Sequence, residues 1–150
     1  MIRRILLVVG AGVVALVGLV AILYAANGAP DVPPISAAEA ANPSKPYVVK
    51  LHARWCPICM LTTGVWSEIE ETYADRVQLL VLDFTNEETT AASEAEARRL
   101  GLGWFFEEYS FATGLVTVVN PRTRQVTAEI GGVSGFDTYR AAIDEALLND

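Results

Sequence analysis

The feature that most constrains this chain is one long apolar segment near its start. Residues 5–26 carry no charge; 19 of these 22 residues are hydrophobic and the other three are glycine. A helix needs about 20 apolar residues to cross a bilayer, whereas the apolar part of a secretory signal peptide has about 7–15. We therefore expect residues 5–26 to form an uncleaved transmembrane signal anchor. A signal peptide cleaved near residues 26–28, or a buried core helix, is the alternative.

The residues around the anchor predict its orientation and where it ends. Arg3 and Arg4 precede the apolar segment, and Asp31 is the first charge after it. The positive-inside rule therefore places residues 1–4 in the cytoplasm and the C-terminal part on the extracytoplasmic side, which is periplasmic, extracellular or lumenal. Residues 27–45 are rich in Ala and Pro and lack periodicity, which predicts a tether.

The remaining residues, 46–150, are enough for one domain, and their composition excludes several kinds of function. The chain has two cysteines, too few for a disulfide-dense scaffold. Residues 46–150 hold eight Lys and Arg against sixteen Asp and Glu, a net charge of −8. Because no basic stripe is present, nucleic acid is not expected as a partner.

The first half of this domain alternates strand and helix patterns. Residues 47–53 are rich in β-branched side chains and follow Pro46, which predicts a mostly buried strand. One helix is predicted from Ile58 onward, because apolar residues recur there at steps of three and four: Ile58, Leu61, Val65, Ile69 and Tyr73. Residues 77–84 are predicted to form the second strand.

The second half begins with another helix. Asn86 is suited to cap it, with Glu87 and Glu88 in the first turn. Arg98 and Arg99 fit its last turn, and Gly101 follows.

A hairpin and a last helix complete the domain. Residues 115–119 and 125–130 are predicted strands joined by a turn at 120–123. Ser134 and Asp137 have the spacing of a capping box before a last apolar stripe. The order β-α-β-α-β-β-α predicts an α/β domain with a mixed central sheet and helices on both faces.

The pattern Cys56-Pro57-Ile58-Cys59 lies between the first strand and the first helix. Backbone N–H groups at a helix start stabilise a thiolate, so Cys56 is the candidate nucleophile and is expected to be exposed. Cys59 is one helical turn away, close enough to attack a mixed disulfide on Cys56. Pro57 fits the first helical turn, where the missing N–H costs nothing.

Other interpretations of the two cysteines fit less well. A zinc site needs four ligands, and His52 would be only the third. A c-type haem site needs His after the second cysteine, where Met60 stands. A structural disulfide closing so short a loop would stabilise little. The spacing therefore favours a redox-active pair, with no metal or other cofactor.

With Trp55 before the first cysteine and a strand–helix junction around the pair, residues 46–148 resemble the thioredoxin-like superfamily. Leu82-Asp83 at the end of the second strand, the hairpin and Gly131-Gly132 match as well. The resemblance implies a three-layer thioredoxin-like fold, here preceded by one transmembrane helix. It also implies a membrane-anchored thiol–disulfide oxidoreductase with a redox-active Cys56–Cys59 disulfide and with Trp55 and Pro57 as candidate tuning residues.

Two positions depart from the family pattern. Lys50 stands where the resemblance implies a buried acidic residue, so it is a candidate for tuning the thiols; a lysine that extends to solvent is the alternative. Thr113 and Gly114 stand at the place of a cis-proline, where we expect a substrate groove of altered shape.

Two further features allow more than one interpretation. Residues 103–111 contain five aromatic side chains and are expected to form a loop that buries them in the core; a partner-binding surface beside Cys56 is the alternative. His52 lies on the same strand face as Lys50 and is expected to be structural.

Together these expectations describe a tethered, monomeric domain that exchanges disulfides with protein thiols and with a membrane or exported redox partner. The resemblance favours a reductase in an envelope pathway such as cytochrome c maturation over an oxidase. A non-enzymatic adaptor that uses the same fold for binding is the rival hypothesis.

Overall fold

The computed structural model describes residues 45–149, in which four strands form one mixed sheet in the order β2-β1-β3-β4. β1 and β2 are parallel, while β1 and β3, and β3 and β4, are antiparallel. This confirms the predicted mixed sheet. The strands are β1 (Tyr47–His52), β2 (Gln78–Asp83), β3 (Leu115–Asn120) and β4 (Gln125–Gly131).

Five helices in the same residues cover the two faces of the sheet. α2 and α5 pack on one face around Val48, Trp66 and Ile143, and α3 and α4 pack on the other around Val49 and Phe105. Helices on both faces are therefore confirmed. The helices are α1 (Pro57–Leu61), α2 (Thr63–Tyr73), α3 (Glu87–Arg99), α4 (Gly103–Tyr109) and α5 (Phe136–Leu148).

β1 is the most enclosed strand because it has a neighbour on each side and helices above and below. All six of its residues are buried. Its side chains alternate between the two faces, so Val49 and Leu51 join the core under α3 and α4 while Val48 joins the core under α2 and α5. The loop that follows β1, which contains Cys56, therefore begins at a fixed place at the edge of the core.

The single helix predicted from Ile58 is wrong in one respect, because the chain breaks it at Thr62. The backbone of Thr62 has φ −94° and ψ 3°, outside the helical range. Its hydroxyl donates to the carbonyls of Ile58 and Cys59 at 3.1 and 3.3 Å, and the Thr63 hydroxyl donates to the Cys59 carbonyl at 3.2 Å. Threonine hydroxyls thus compete for the carbonyls of the preceding turn and bend the chain between α1 and α2.

The predicted cap of α3 is confirmed. The Asn86 side chain accepts from the Thr89 N–H at 2.9 Å, and the Thr89 hydroxyl accepts from the Asn86 N–H at 3.1 Å. The capping box predicted for the last helix is wrong. α5 begins one residue later than a cap at Ser134 requires, with Gly135 as N-cap and no side-chain hydrogen bond to that end.

The aromatic segment is a helix, α4, rather than the expected loop. Leu102, Phe105, Phe106 and Tyr109 follow a helical spacing and all face the core. The rings of Phe105 and Tyr109 stack with centroids 4.5 Å apart. The expected burial of the aromatics is therefore correct for these residues, but the spacing that predicts the helix was missed.

The predicted anchor, residues 5–26, and the tether up to residue 44 lie outside the described residues. Within residues 45–149, no helix is both long and apolar enough to cross a membrane.

Candidate active site

Cys56 caps the start of α1 and lies beside several hydrogen-bond donors. Its Sγ accepts from the N–H of Cys59 at 3.2 Å, and its own N–H donates to the Ala53 carbonyl at 3.1 Å. Pro57 occupies the first turn of α1, as predicted. The expected exposure of Cys56 is wrong, since the residue is 4 % exposed. Its Sγ points inward to the N–H of Cys59 instead of outward to solvent.

Cys59 lies one turn further and is fully buried. Both thiols are free in this structure. The Cys59 thiol is 3.7 Å from the carbonyl oxygen of Leu51, at the end of β1. The two cysteines therefore meet as the spacing predicts, with Cys59 on the inner side of the pair.

The surroundings push the pKa values of the two thiols in opposite directions. Burial alone would raise the pKa of Cys56, but hydrogen bonds from Cys59, from the Thr113 side chain and from the Ile58 N–H outweigh it and lower that pKa below the ordinary value. Burial, together with the hydrogen bond that the Cys59 thiol gives to Cys56, raises the pKa of Cys59 to about 11. Cys56 is thus the group that ionises first, and Cys59 holds its proton.

Two hydrogen bonds hold the loop before α1 against the segment after β2. The indole N–H of Trp55 donates to the Thr85 carbonyl at 3.2 Å, and the Arg54 N–H donates to the Thr85 hydroxyl at 2.9 Å. Trp55 remains about half exposed beside the thiols. Sequence reasoning missed Thr85, because nothing in its neighbourhood along the chain indicates that it meets a loop about 30 residues earlier.

Thr113 and Gly114 lie against the cysteines, where the sequence expects the groove. The Gly114 N–H donates to the Leu51 carbonyl at 2.9 Å. Gly114 has φ +88°, and residues 45–149 contain no cis peptide bond. A Cβ on Gly114 would lie 3.0 Å from the Ile58 Cγ2 and 3.6 Å from the Cys56 Sγ. Both the left-handed backbone and the close approach of Ile58 therefore require glycine here.

Lys50 and His52 are buried on the face of β1 that also carries Val48. They are 2 % and 1 % exposed, so the alternative of a lysine that extends to solvent is wrong. The Lys50 Nζ lies 5.4 Å from the centre of the Trp66 ring. Burial lowers the pKa of Lys50, and burial together with the charge of Lys50 lowers the pKa of His52.

Phe111 is the one aromatic of residues 103–111 that stays largely exposed, at 63 %. Its ring lies 5.4 Å from that of Phe84, and its backbone has φ +67°, unusual for a residue with a side chain. Its carbonyl accepts from the Thr113 N–H at 2.7 Å. Of the aromatic residues in 103–111, Phe111 is therefore the candidate for the partner-binding surface.

Across residues 45–149, no cluster of three or more His, Cys, Asp or Glu side chains is arranged to hold a metal ion.

The comparisons with known proteins agree with this geometry. Residues 37–98, which include β1, both cysteines and β2, match the thioredoxin family model. Over these residues the chain is similar to the thioredoxin family. No curated protein matches the chain significantly.

Several solved structures are similar in fold. A thiol:disulfide interchange protein of the thioredoxin family from Chlorobium tepidum is 21 % identical, with 78 % of this chain and 88 % of that chain covered and a TM-score of 0.49. The C-terminal domain of DsbD from Neisseria meningitidis is 17 % identical, with 87 % and 94 % covered and a TM-score of 0.45. Thioredoxin O2 from Arabidopsis thaliana is 21 % identical, with 73 % and 81 % covered and a TM-score of 0.45.

The Thr113 hydroxyl can be tested by an isosteric change. We expect Thr113→Val to raise the pKa of Cys56, because valine keeps the shape of the side chain but removes the donor to the thiolate. The ultraviolet absorbance of the thiolate, followed against pH, measures this pKa. Thr123→Val, in the exposed turn between β3 and β4, is the matched control and should leave it unchanged. An unaltered pKa in Thr113→Val would show that its hydroxyl does not stabilise the thiolate.

Proposed function

We propose that this protein exchanges disulfides with protein thiols through Cys56 and Cys59. The single observation that carries the proposal is the difference between the two thiols. Hydrogen bonds lower the pKa of Cys56, while burial and the hydrogen bond to Cys56 raise the pKa of Cys59 to about 11. A thiolate is the attacking form of cysteine, so Cys56 is the nucleophile and Cys59 the resolving thiol.

In the reducing direction the exchange has two steps. The Cys56 thiolate attacks one sulfur of a substrate disulfide; that S–S bond breaks, and the first substrate thiolate leaves and takes up a proton. Cys59 then loses its proton and attacks the Cys56 sulfur of the mixed disulfide. The second substrate thiolate leaves, and the protein has given two electrons and holds a Cys56–Cys59 disulfide. The oxidising direction is the reverse.

A substrate can reach the Cys56 sulfur by approaching over Gly114. The sulfur is nearly covered, but Gly114 has no side chain and lies next to it. Trp55 and Phe111 add exposed apolar surface to segments that lead to the thiols. We propose that Thr113 and Gly114 form the floor of the substrate groove, in line with the altered groove expected from the sequence.

The proposal also covers the direction of electron transfer and the pathway. The Trp55-Cys56-Pro57-Ile58-Cys59 segment resembles tethered reductases of envelope pathways such as cytochrome c maturation, and we propose a reductase of this kind that acts as a monomer. A membrane or exported thiol partner would return it to the dithiol state.

An adaptor without redox activity is the second candidate. The low exposure of Cys56 and the exposed ring of Phe111 favour it, as do Lys50 and Gly114 at the places of the family's buried acid and cis-proline.

Disulfide reduction by the full-length chain in detergent separates the two candidates. We expect the parent to reduce insulin disulfides, and Cys56→Ser to lose this activity completely, because Cys59, the other described thiol, is fully buried and its pKa is raised to about 11. Cys59→Ser should accumulate a mixed disulfide on Cys56 that mass spectrometry detects. A parent without activity, and a Cys59→Ser variant that traps no substrate, would favour the adaptor.

We further propose that residues 5–26 anchor the chain with its domain outside the cytoplasm. Arg3 and Arg4 before the apolar segment and Asp31 after it support this orientation. A protease added to intact spheroplasts of an expressing bacterium should then digest the domain while a cytoplasmic marker survives. Protection of the domain until the cells are lysed would contradict the orientation.

A further inference from the structure

The turn that leads into Cys56 is held by one residue of the segment after β2, Thr85. The Cys56 N–H donates to the Ala53 carbonyl at 3.1 Å, which closes a β-turn with Arg54 and Trp55 at its centre. The Thr85 hydroxyl accepts the Arg54 N–H at 2.9 Å, and the Thr85 carbonyl accepts the indole N–H of Trp55 at 3.2 Å. Both central residues of the turn are therefore bonded to Thr85.

Thr85 is itself fixed by the sheet. Its N–H donates to the Asp83 carboxylate at 2.8 Å, an arrangement typical of Asx turns. The Phe84 N–H donates to the His52 carbonyl at 2.7 Å, which ties the same segment to the end of β1. The Ser93 hydroxyl of α3 accepts the Asp83 N–H at 2.7 Å. Thr85 therefore presents its two acceptors from a place that β1, β2 and α3 fix together.

The Trp55 ring is both exposed and held. Trp55 is 52 % exposed, yet its indole N–H is bonded, so the ring has little freedom to rotate. Tryptophan is among the residues that contribute most to protein–protein contacts, and a ring already in its bound orientation loses less conformational entropy when a partner docks. Trp55 directly precedes Cys56, so a protein whose disulfide reaches the Cys56 sulfur comes close to this ring.

We propose that Thr85 is a positioning residue that holds Trp55 in the orientation in which its ring contacts protein substrates. This inference deepens the proposed function and depends on it. The Thr85 hydroxyl sets the backbone of the turn through the Arg54 N–H, and the Thr85 carbonyl sets the ring. Thr85 takes no part in the thiol exchange itself. It favours protein disulfides over small disulfides, which reach Cys56 without covering the Trp55 ring.

Two substitutions separate the hydroxyl of Thr85 from its shape. Valine keeps the size of threonine but has no acceptor, so the Arg54 N–H loses its partner and the turn is free to shift. Serine keeps the hydroxyl and loses only a methyl group. An effect of Thr85 that runs through its hydrogen bond is therefore lost in Thr85→Val and retained in Thr85→Ser.

Single-turnover reduction of insulin measures the contact with a protein substrate. The reduced full-length chain in detergent is mixed with increasing concentrations of insulin, and the chain that has formed the Cys56–Cys59 disulfide is quantified by alkylation and mass spectrometry. In Thr85→Val we expect the half-saturating insulin concentration to rise about five-fold or more, the size of a lost interface contact, and the limiting rate to change less than about two-fold. Thr85→Ser should match the parent in both quantities. A parent-like half-saturating concentration in Thr85→Val, or an equal loss in Thr85→Ser, would overturn the proposal.

Oxidised glutathione, a small polar disulfide, is the matched substrate. Its rate of reduction in Thr85→Val should stay within about two-fold of the parent, because it needs the Cys56 thiolate but not the Trp55 ring. A fall as large as that seen with insulin would mean that Thr85 acts on the thiols, contrary to the proposal. Thr90→Val is the control variant, because it also removes a threonine hydroxyl bond, the one at 2.7 Å to the Asn86 carbonyl on α3. It should match the parent with both substrates.

A double-mutant cycle tests whether Thr85 acts through Trp55. Trp55→Ala should raise the half-saturating insulin concentration about five-fold or more, and adding Thr85→Val should raise it less than about two-fold further, because coupled residues are not additive. Full additivity would place the effect of Thr85 elsewhere and contradict the proposal. If Thr85→Val does not fold, Trp55→Phe is measured in its place, since a phenyl ring has no N–H for the Thr85 carbonyl; the same rise is expected, and a parent-like value counts against the inference.

Failure of the proposed function has a different signature. A parent chain that reduces neither insulin nor oxidised glutathione would contradict disulfide exchange itself. A parent that reduces both, with Thr85→Val equal to it on insulin, would leave the exchange intact and remove only the role of Thr85.

Discussion

The carbonyl oxygen of Leu51 joins the three segments on which the site depends. It accepts the N–H of Gly114 at 2.9 Å and lies 3.7 Å from the Cys59 thiol. Leu51 itself is fully buried in the central strand, so this acceptor cannot shift without disturbing the sheet. One fixed atom therefore sets the position of α1 relative to the segment before β3, and with it the place of Cys56 against Thr113 and Gly114.

The difference between the two thiols follows from this placement. Hydrogen-bond donors from α1 and from Thr113 converge on Cys56, while Cys59 is enclosed and lacks a stabilising charge of comparable strength. Burial has the same direction at both sulfurs, so it is the unequal share of donors that separates their pKa values. The chemistry of the pair is thus a property of two segments that lie far apart in the sequence.

Local patterns predict much of this fold. The apolar spacing predicts strands and helices on both faces, and Asn86 predicts the start of α3 because a cap is decided by a few adjacent residues. The strand-to-helix junction also predicts that Cys56 and Cys59 meet. What the sequence leaves undecided is set by contacts between distant segments. The burial of Cys56 depends on how its sulfur turns toward the Cys59 N–H, and the left-handed Gly114 depends on Ile58 and Leu51.

Lys50 is the clearest case in which contacts between distant segments decide what the sequence leaves open. Its position on β1 is predictable, but a lysine on a strand can either extend to solvent or stay buried. The decision depends on Trp66 and Glu70, which α2 brings over it. A buried amine without a hydrogen-bond partner weakens a fold, so Lys50 is a costly departure from the pattern that the resemblance implies.

A redox titration of the full-length chain tests the central claim most directly. In glutathione buffers of graded ratio, with the two states separated by mass spectrometry, we expect one two-electron transition between the dithiol and a Cys56–Cys59 disulfide. Its potential should fall within the range of exchanging pairs, about −270 to −120 mV. A pair that never closes, or one with a potential below about −300 mV as in structural disulfides, would contradict the account.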